Sequence, residues 1–389
     1  MSTPRRAAIV GVATSDYPHL PHLSEHAVHG QAAERALADA GLSFSDVDGL
    51  ATVGFFPMYA IGVAEYLGLH PTYVDETNFG GASFEVLVEH AAYAIEAGAA
   101  EVVLVTYGSV QLSTMGRRLG TGGGGGGGGF APGPAVYDAL WGNTLVGNYA
   151  LAARRHMHEY GTTSEQLASV AVTMRDHAKF NPQAQYRDPI TVHDVLSSRM
   201  VADPLHVLDC CVISDGGGAC VLTTTERAAD LAKAPVYLLG AAHSTNHHLN
   251  LSATKDLTVT PAARSGPLAF SRAGITPADV DVAQLYDSFT ITVVLTVEDL
   301  GFCEKGQGGA FVEDGGLAVG GRLPTNTDGG GLSACHPGMR GMFLIVEAVR
   351  QLRGECAETQ VPGAEIAVAH GTGGTLSAGA TLLLSSRLP

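Results

Sequence analysis

The chain has 389 residues, 46% hydrophobic and 15% charged, enough to bury a sizeable core in one large domain or two medium ones. Its 22 basic and 38 acidic residues leave a net charge of −16, which argues against nucleic acid as a partner, because phosphate contacts need concentrated Lys and Arg. No apolar run approaches the roughly 20 residues of a membrane-spanning helix, and the six cysteines contain no C-x-x-C pair, so neither a metal centre nor a thioredoxin-like site is expected.

The opening "MSTPRRAAIVGVA" has two arginines but only a short, strand-like apolar run, so no secretory signal is read there and a cytoplasmic setting is expected. "AAIVGVA", from Ala7, reads as a buried strand. "AVHGQAAERALADAG" has Ala-rich helical spacing and a stop at Gly41; "LSFSDVDGLATVG" then gives an acidic turn and a strand. "NFGGASFEVLVEH", Asn78 to His90, is a polar and glycine turn running straight into a helix that reaches Gly98. A strand from Glu101 to Thr106 follows. Continuously apolar strands alternating with helices predict an α/β fold whose sheet is covered on both faces.

An insertion follows, residues 116–199. It begins with "GTGGGGGGGGFAPGP", in which Gly122 to Gly129 are consecutive glycines. Such a run has high backbone entropy and packs nothing, and it lacks the Lys and Ser/Thr of a phosphate loop. "VGNYALAARRHMHEYGTTSEQLASVAVTMRDHAKFN" then predicts two helices, the second with an N-cap. His156 and His158, at i and i+2, do not share a helix face.

An internal repeat orders the rest. "AGLSFSDVD" (Ala40 to Asp48) matches "AGITPADVD" (Ala273 to Asp281), and "AAIVGVATS" corresponds to "VYLLGAAHS". The next helix and strand recur as "FLIVEAVRQLRG" and "AEIAVAHGTGG". The expected organisation is one half from 1–115 and 200–234, the inserted helical loop region at 116–199, and a second half at 235–389, with a ligand cleft between the halves.

Three motifs in this order carry a resemblance to a known family: the turn at Gly80–Gly81, "LYDSFT" (Leu285 to Thr290), and "TNTDGGGLSACHPGMRG" followed by "AHGTGG". Together with the duplicated halves and the insertion, they resemble the thiolase superfamily over nearly the whole chain. The likeness is strongest to its sterol-carrier-type branch, whose His-Asp-x-Phe motif corresponds to Tyr286-Asp287-Ser288-Phe289. The implied fold is two duplicated α/β halves in stacked layers with an inserted helical loop region, paired into homodimers. The substrate implied is an acyl-CoA, with no cofactor beyond the coenzyme A it carries.

The departures from the family define the expected chemistry. Registered on Gly98 and Glu101, the nucleophilic cysteine of thiolases falls on Gly81, and the second, acid/base cysteine is replaced by His370. Ser83 is the nearest hydroxyl, and the reading that it caps the helix is preferred to a nucleophilic one. A site without a thiolate that still stabilises an enolate suits retro-aldol cleavage of a β-hydroxyacyl-CoA to a ketone or aldehyde and a shorter acyl-CoA. This resembles the thiolase-like aldolases of steroid side-chain degradation, which work with a small OB-fold partner and share "VLDCCVISDGG"-like residues. Those aldolases carry a tyrosine near the place of Cys335 and lack the histidine that this chain keeps as His336.

The expected roles are these. Tyr286 moves the proton, His336 and His370 hold the enolate oxygen, and Asp287 orients a neighbour. The backbone at Gly80, Gly81, Gly373 and Gly374, with Ser83 and Cys335, lines the substrate. Arg117, Arg118 and Arg340 are candidates for the CoA phosphates. Two rival readings stand beside the lyase: acyl transfer with a non-standard nucleophile, Ser83 or Cys335, and a non-catalytic acyl-CoA or lipid-binding subunit.

Overall fold

A computed structural model describes residues 6–116, 144–246 and 253–388. The glycine run, Arg117 and Arg118 lie outside the described residues. The eleven described strands are β1 (Ala7–Thr14), β2 (Gly49–Val53), β3 (Tyr73–Thr77), β4 (Val102–Ser109), β5 (Met200–Ala202), β6 (Leu205–His206), β7 (Gly216–Thr224), β8 (Val236–Thr245), β9 (Val282–Leu285), β10 (Ile366–Gly373) and β11 (Ala378–Ser385). Nine of them form one mixed sheet in the order β3-β2-β4-β7-β1-β8-β11-β10-β9; β5 and β6 make a small hairpin.

Read outward from its middle, this sheet repeats itself. The first half runs β1-β7-β4-β2-β3 and the second β8-β11-β10-β9, where an isolated parallel bridge between Ala283 and Thr325 stands in the place of β3. Only two residue pairs, Ala8 with Tyr237 and Ile9 with Val236, join β1 to β8.

The repeated sequences make the same local structure. Helices Glu25–Ala40 and Ala262–Ala273 each end on a left-handed glycine, Gly41 (φ 73°) and Gly274 (φ 70°). A single turn of 3-10 helix follows in each, closed by a capping box, Ser43 with Asp46 and Thr276 with Asp279. The last aspartate of each repeat then fastens the next strand. Asp48 accepts the backbone N–H of Glu101 and Val102, and Asp281 those of Glu365 and Ile366, at 2.8–3.0 Å.

The helices Ser83–Glu96 and Gly341–Arg353 pack together between the two halves of the sheet, in a cluster that includes Val12, Phe84, Leu87, Val105, Leu344, Ala369 and Leu382. Outer helices cover the opposite faces: Glu25–Ala40 over the first half, and Ala262–Ala273 with Thr290–Asp299 over the second. The inserted helices Leu145–Tyr160 and Ser164–Ala178 complete the second cluster. Both central helices begin at glycine-rich turns, so their N-termini converge where the sequence motifs meet.

Candidate active site

Tyr286 emerges from the end of β9. Its N–H donates to the His370 carbonyl at 3.0 Å, extending the β9–β10 ladder by one residue. Asn326, in a left-handed conformation at φ 51°, grips the preceding residue: its Oδ1 accepts from Leu285 N and its Nδ2 donates to Leu285 O, both at 2.8 Å. Thus aimed, the Tyr286 ring is buried in the central layer, with its hydroxyl 2.9 Å from His336 Nε2 and the two rings at 86°. Burial raises the phenol well above its usual range, a shift that the Arg340 backbone N–H opposes. Burial, and then the Arg340 charge, push His336 down to about 4. Both groups are therefore neutral at pH 7, and in the Nδ1–H tautomer of His336 the phenol donates to Nε2.

The loop that carries His336 is shaped by glycines and held by buried charge. Gly329 (φ 101°) and Gly330 (φ 65°) lead into a single π turn, Gly330–Ala334. Asp287 accepts from Gly331 N at 2.7 Å and Leu332 N at 3.1 Å. A Cβ at Gly330 would collide with this carboxylate, and one at Gly331 would stand 3.0 Å from it and 3.3 Å from His336 Cδ2. Arg340 is fully buried; it makes two 2.6 Å bonds to Asp328, donates to Cys335 O at 2.7 Å and lies 3.5 Å from Asp287. From the other side Ser214 Oγ accepts from His336 N at 2.7 Å, Val212 N donates to Gly331 O, and Cys211 N donates to Ser288 O. The "VLDCCVISDGG" segment is thus one wall of the site.

The opposite wall is the turn before the helix Ser83–Glu96. Asn78 Oδ1 accepts from Gly80 N at 3.1 Å. Ser83 Oγ donates to Gly80 O at 2.7 Å and accepts from Phe79 N at 2.8 Å. Gly80 has φ 62°, and a Cβ there would lie 2.9 Å from Gly374 N and 3.0 Å from Gly373 Cα. At Gly81 a Cβ would fall inside the Tyr286 ring edge and 2.5 Å from Thr372 O. The fold therefore brings Gly80, Gly81, Gly373, Gly374, Tyr286, Asp287 and His336 together; Ser83 closes the turn rather than capping the helix, whose N-cap is Ala82 without a side-chain bond.

Three other expectations are not met by the geometry. The His370 ring lies on the other face of the sheet. Side chains alternate along β10; Gly371 faces Ala82 and Glu85 in the central layer, whereas His370 bonds Thr381 Oγ1 at 2.9 Å, which in turn meets Ser265 of an outer helix. Cys335 is fully buried against Ser214 Oγ at 3.1 Å, and burial pushes its thiol up to about 12, so it neither lines the substrate nor serves as a nucleophile. Arg340 is committed to Asp328 and Asp287 and is not available to a CoA phosphate. Sequence reasoning missed Asn326, Asp328 and Ser214, whose roles arise from contacts between distant segments. Among the described residues no cluster of His, Cys, Asp or Glu could hold a metal ion.

Residues 240–386 match the family described as thiolase C-terminal domain-like. The chain is 38% identical to the steroid side-chain-cleaving aldolase of Thermomonospora curvata over 95% of this chain and 96% of that one. It is 35% identical to an acetyl-CoA acetyltransferase of Methanothermobacter thermautotrophicus over 95% and 97%. Among solved structures, the Ltp2–ChsH2(DUF35) aldolase superimposes with a TM-score of 0.87 at 35% identity, covering 99% of each chain.

Proposed function

The chain belongs to the thiolase superfamily, alongside its CoA-thioester aldolases and lyases, and from that premise we propose how its own residues break a carbon–carbon bond. One observation carries the reading. The space in which the thiolate of a thiolase would begin is filled by the ring of Tyr286, which a Cβ at Gly81 would strike. No acyl-enzyme forms at that position, and the phenol stands there instead.

In the proposed retro-aldol step, the β-hydroxyl of the substrate gives its proton to Tyr286 while the phenol passes its own to His336 Nε2. The carbonyl of the leaving ketone or aldehyde forms as the Cα–Cβ bond breaks, and the electron pair becomes the thioester enolate. Burial and the Arg340 charge disfavour the imidazolium, so the proton returns through Tyr286 to the enolate carbon. Backbone groups of Gly80–Gly81 and Gly373–Gly374 border the same space and are the proposed contacts for the acyl thioester. Asp287 and Arg340 act by holding the His336 loop. Coenzyme A enters only as part of the substrate.

The acetyltransferase likeness supports acyl transfer as a second reading. Neither Ser83 nor Cys335 is placed to be its nucleophile, for the reasons above. A partner is proposed from the two-component aldolase that superimposes on this chain: a small OB-fold subunit. A homodimer is proposed from the first half. There β3 lies at the edge of the sheet, and Phe56 (61% exposed) and Met58 (68%) stand beside it with Phe55, Ile61 and Tyr66, an apolar patch of the kind that marks an interface. Among the described residues no helix is long and apolar enough to cross a membrane.

The test is incubation of the chain, with and without an OB-fold partner, with a panel of β-hydroxyacyl-CoAs. Release of a ketone or aldehyde and a shorter acyl-CoA is expected, with no acylated side chain in the mass spectrum. Thiolysis of a β-ketoacyl-CoA, without cleavage of any hydroxyacyl-CoA, would sink the lyase reading.

A further inference from the structure

The first turn of the helix Ser83–Glu96 carries a group that the proposed reaction leaves unused. Glu85 is fully buried, and neither of its carboxyl oxygens has a hydrogen-bond partner. Leaving a buried polar group unpaired is destabilising, and a Met or Leu would fill the space without that penalty. The surroundings are nonetheless shaped to it. A Cβ at Gly371 would collide with Glu85 Oε2, and one at Gly341 would lie 2.6 Å from the same atom.

Those neighbours are the three elements that build the site. Gly371 lies on β10 just before Thr372 and Gly373, Gly341 opens the helix behind Arg340, and Glu85 itself follows the Gly80–Gly81 turn. The point where a Gly341 Cβ would stand also touches the Gly81 carbonyl oxygen. Glu85 Oε2 and Gly81 O therefore border one small space.

We propose that Glu85 is a positioning residue of the lyase site: in its neutral form its hydroxyl donates to the Gly81 carbonyl and holds that turn against the Tyr286 ring when substrate is bound. The inference rests on the lyase reading for its reaction but not for its titration. Burial raises the Glu85 carboxyl to about 8, so it is a donor at neutral pH. Among the described residues no cation pairs with it. Of the titratable and charged groups on the elements packed around it, Arg340 is held by Asp328 and Asp287, Glu347 accepts from Thr327, and Glu89 pairs with His243 and Arg272. β7 contributes Cys220, whose thiol Glu85 helps to push up; β4 contributes Tyr107 and the end of β9 Tyr286, while β10 turns glycines toward it. Ionisation would set a carboxylate against a carbonyl oxygen and release the turn.

The experiment compares the full chain with Glu85→Gln and Glu85→Met. Wild-type kcat is expected to fall as pH rises through about 8. Glu85→Gln keeps a donor, so it should hold kcat within about threefold and lose that alkaline limb. Glu85→Met should lower kcat roughly tenfold with KM little changed, the size of one lost hydrogen bond, while its unfolding midpoint stays at or above wild type. An unchanged alkaline limb in Glu85→Gln, or full kcat in Glu85→Met, overturns the proposal. Infrared difference spectra of wild type against Glu85→Gln give a readout independent of turnover: a protonated carboxyl band at neutral pH that disappears through about 8. Its absence at neutral pH overturns the proposal by itself. A chain that shows the band but cleaves no hydroxyacyl-CoA overturns the lyase reading, and with it the assignment of Glu85 to that reaction.

Discussion

The two glycine turns that precede the central helices, one directly and one through the π turn Gly330–Ala334, are built from opposite materials. The turn at Gly80–Gly81 is almost bare. A serine hydroxyl and an asparagine close it, and its surface toward the site is backbone. The turn at Gly329–Gly331 is packed with charge: Asp287, Asp328 and Arg340 hold it, and it delivers His336. The difference shows how a duplicated fold divides its labour. In the proposed reaction the first half supplies shape and space, and the second supplies the groups that move protons. Glycine serves both, in one turn to admit a ring and in the other to admit a carboxylate.

That division is most directly broken at Tyr286. Tyr286→Phe keeps the ring that fills the space beside Gly81 but removes the relay, and kcat for cleavage is expected to fall by roughly 10²–10⁴ with the unfolding midpoint little changed. The same substitution should leave substrate binding nearly intact, which equilibrium titration with a hydroxyacyl-CoA would check.

From the other turn, Gly81→Cys is expected to destabilise the chain by about 1–3 kcal/mol through overpacking against that ring. Pairing it with Tyr286→His should recover part of the loss. A double-mutant cycle read by denaturant unfolding measures the coupling; strict additivity would mean that the ring and the turn are independent.

The halves also share an acid liability. Burial holds His29 in the first half at about 3, and in the second His370 at about 3 and His336 at about 4. Each binds a proton in the unfolded chain below its ordinary value near 6.5 but resists it when folded. Stability is therefore fully present above that value and is lost as pH falls toward the folded values, by up to about 1.4 kcal/mol per pH unit per histidine. Thermal unfolding across that window should show the loss, with a shallower slope in a His29→Asn variant.

The smallest effect separates two histidines that look alike in sequence. His370→Asn replaces a ring on the outer face and keeps a polar partner for Thr381, so kcat should change by less than about threefold. His336→Asn removes the acceptor of the relay, and a loss of at least about 10² is expected. Equal losses at both positions would place His370 in the reaction after all.

These contrasts also mark what was legible in the sequence. The α/β class and the thiolase-like fold were, because apolar strands, Ala-rich helices and glycine stops are local signals, and because Asp48 and Asp281 do the same job in matching words. So was the convergence of Tyr286, His336 and the glycines, which the motifs carry. The misplacement of His370 has a physical reason. Its neighbours "HGTGG" say that a strand ends there, but the face a side chain takes depends on strand parity, and one residue moves it across the sheet. Arg340 and Cys335 were misjudged because burial is a property of the assembled loop. An arginine among glycines reads as exposed until two distant aspartates, Asp287 and Asp328, enclose it.

The contact between Gly81 and the ring of Tyr286 also has a meaning for descent. A chain with this ring beside Gly81 does not accept a cysteine there in a single step without strain, because the new side chain would meet an occupied position. A return needs more than a smaller ring, because a Cβ at Gly81 would also meet the Thr372 carbonyl oxygen at 2.5 Å. The two positions are thus coupled, and a change at Gly81 alone lowers stability without supplying the other chemistry.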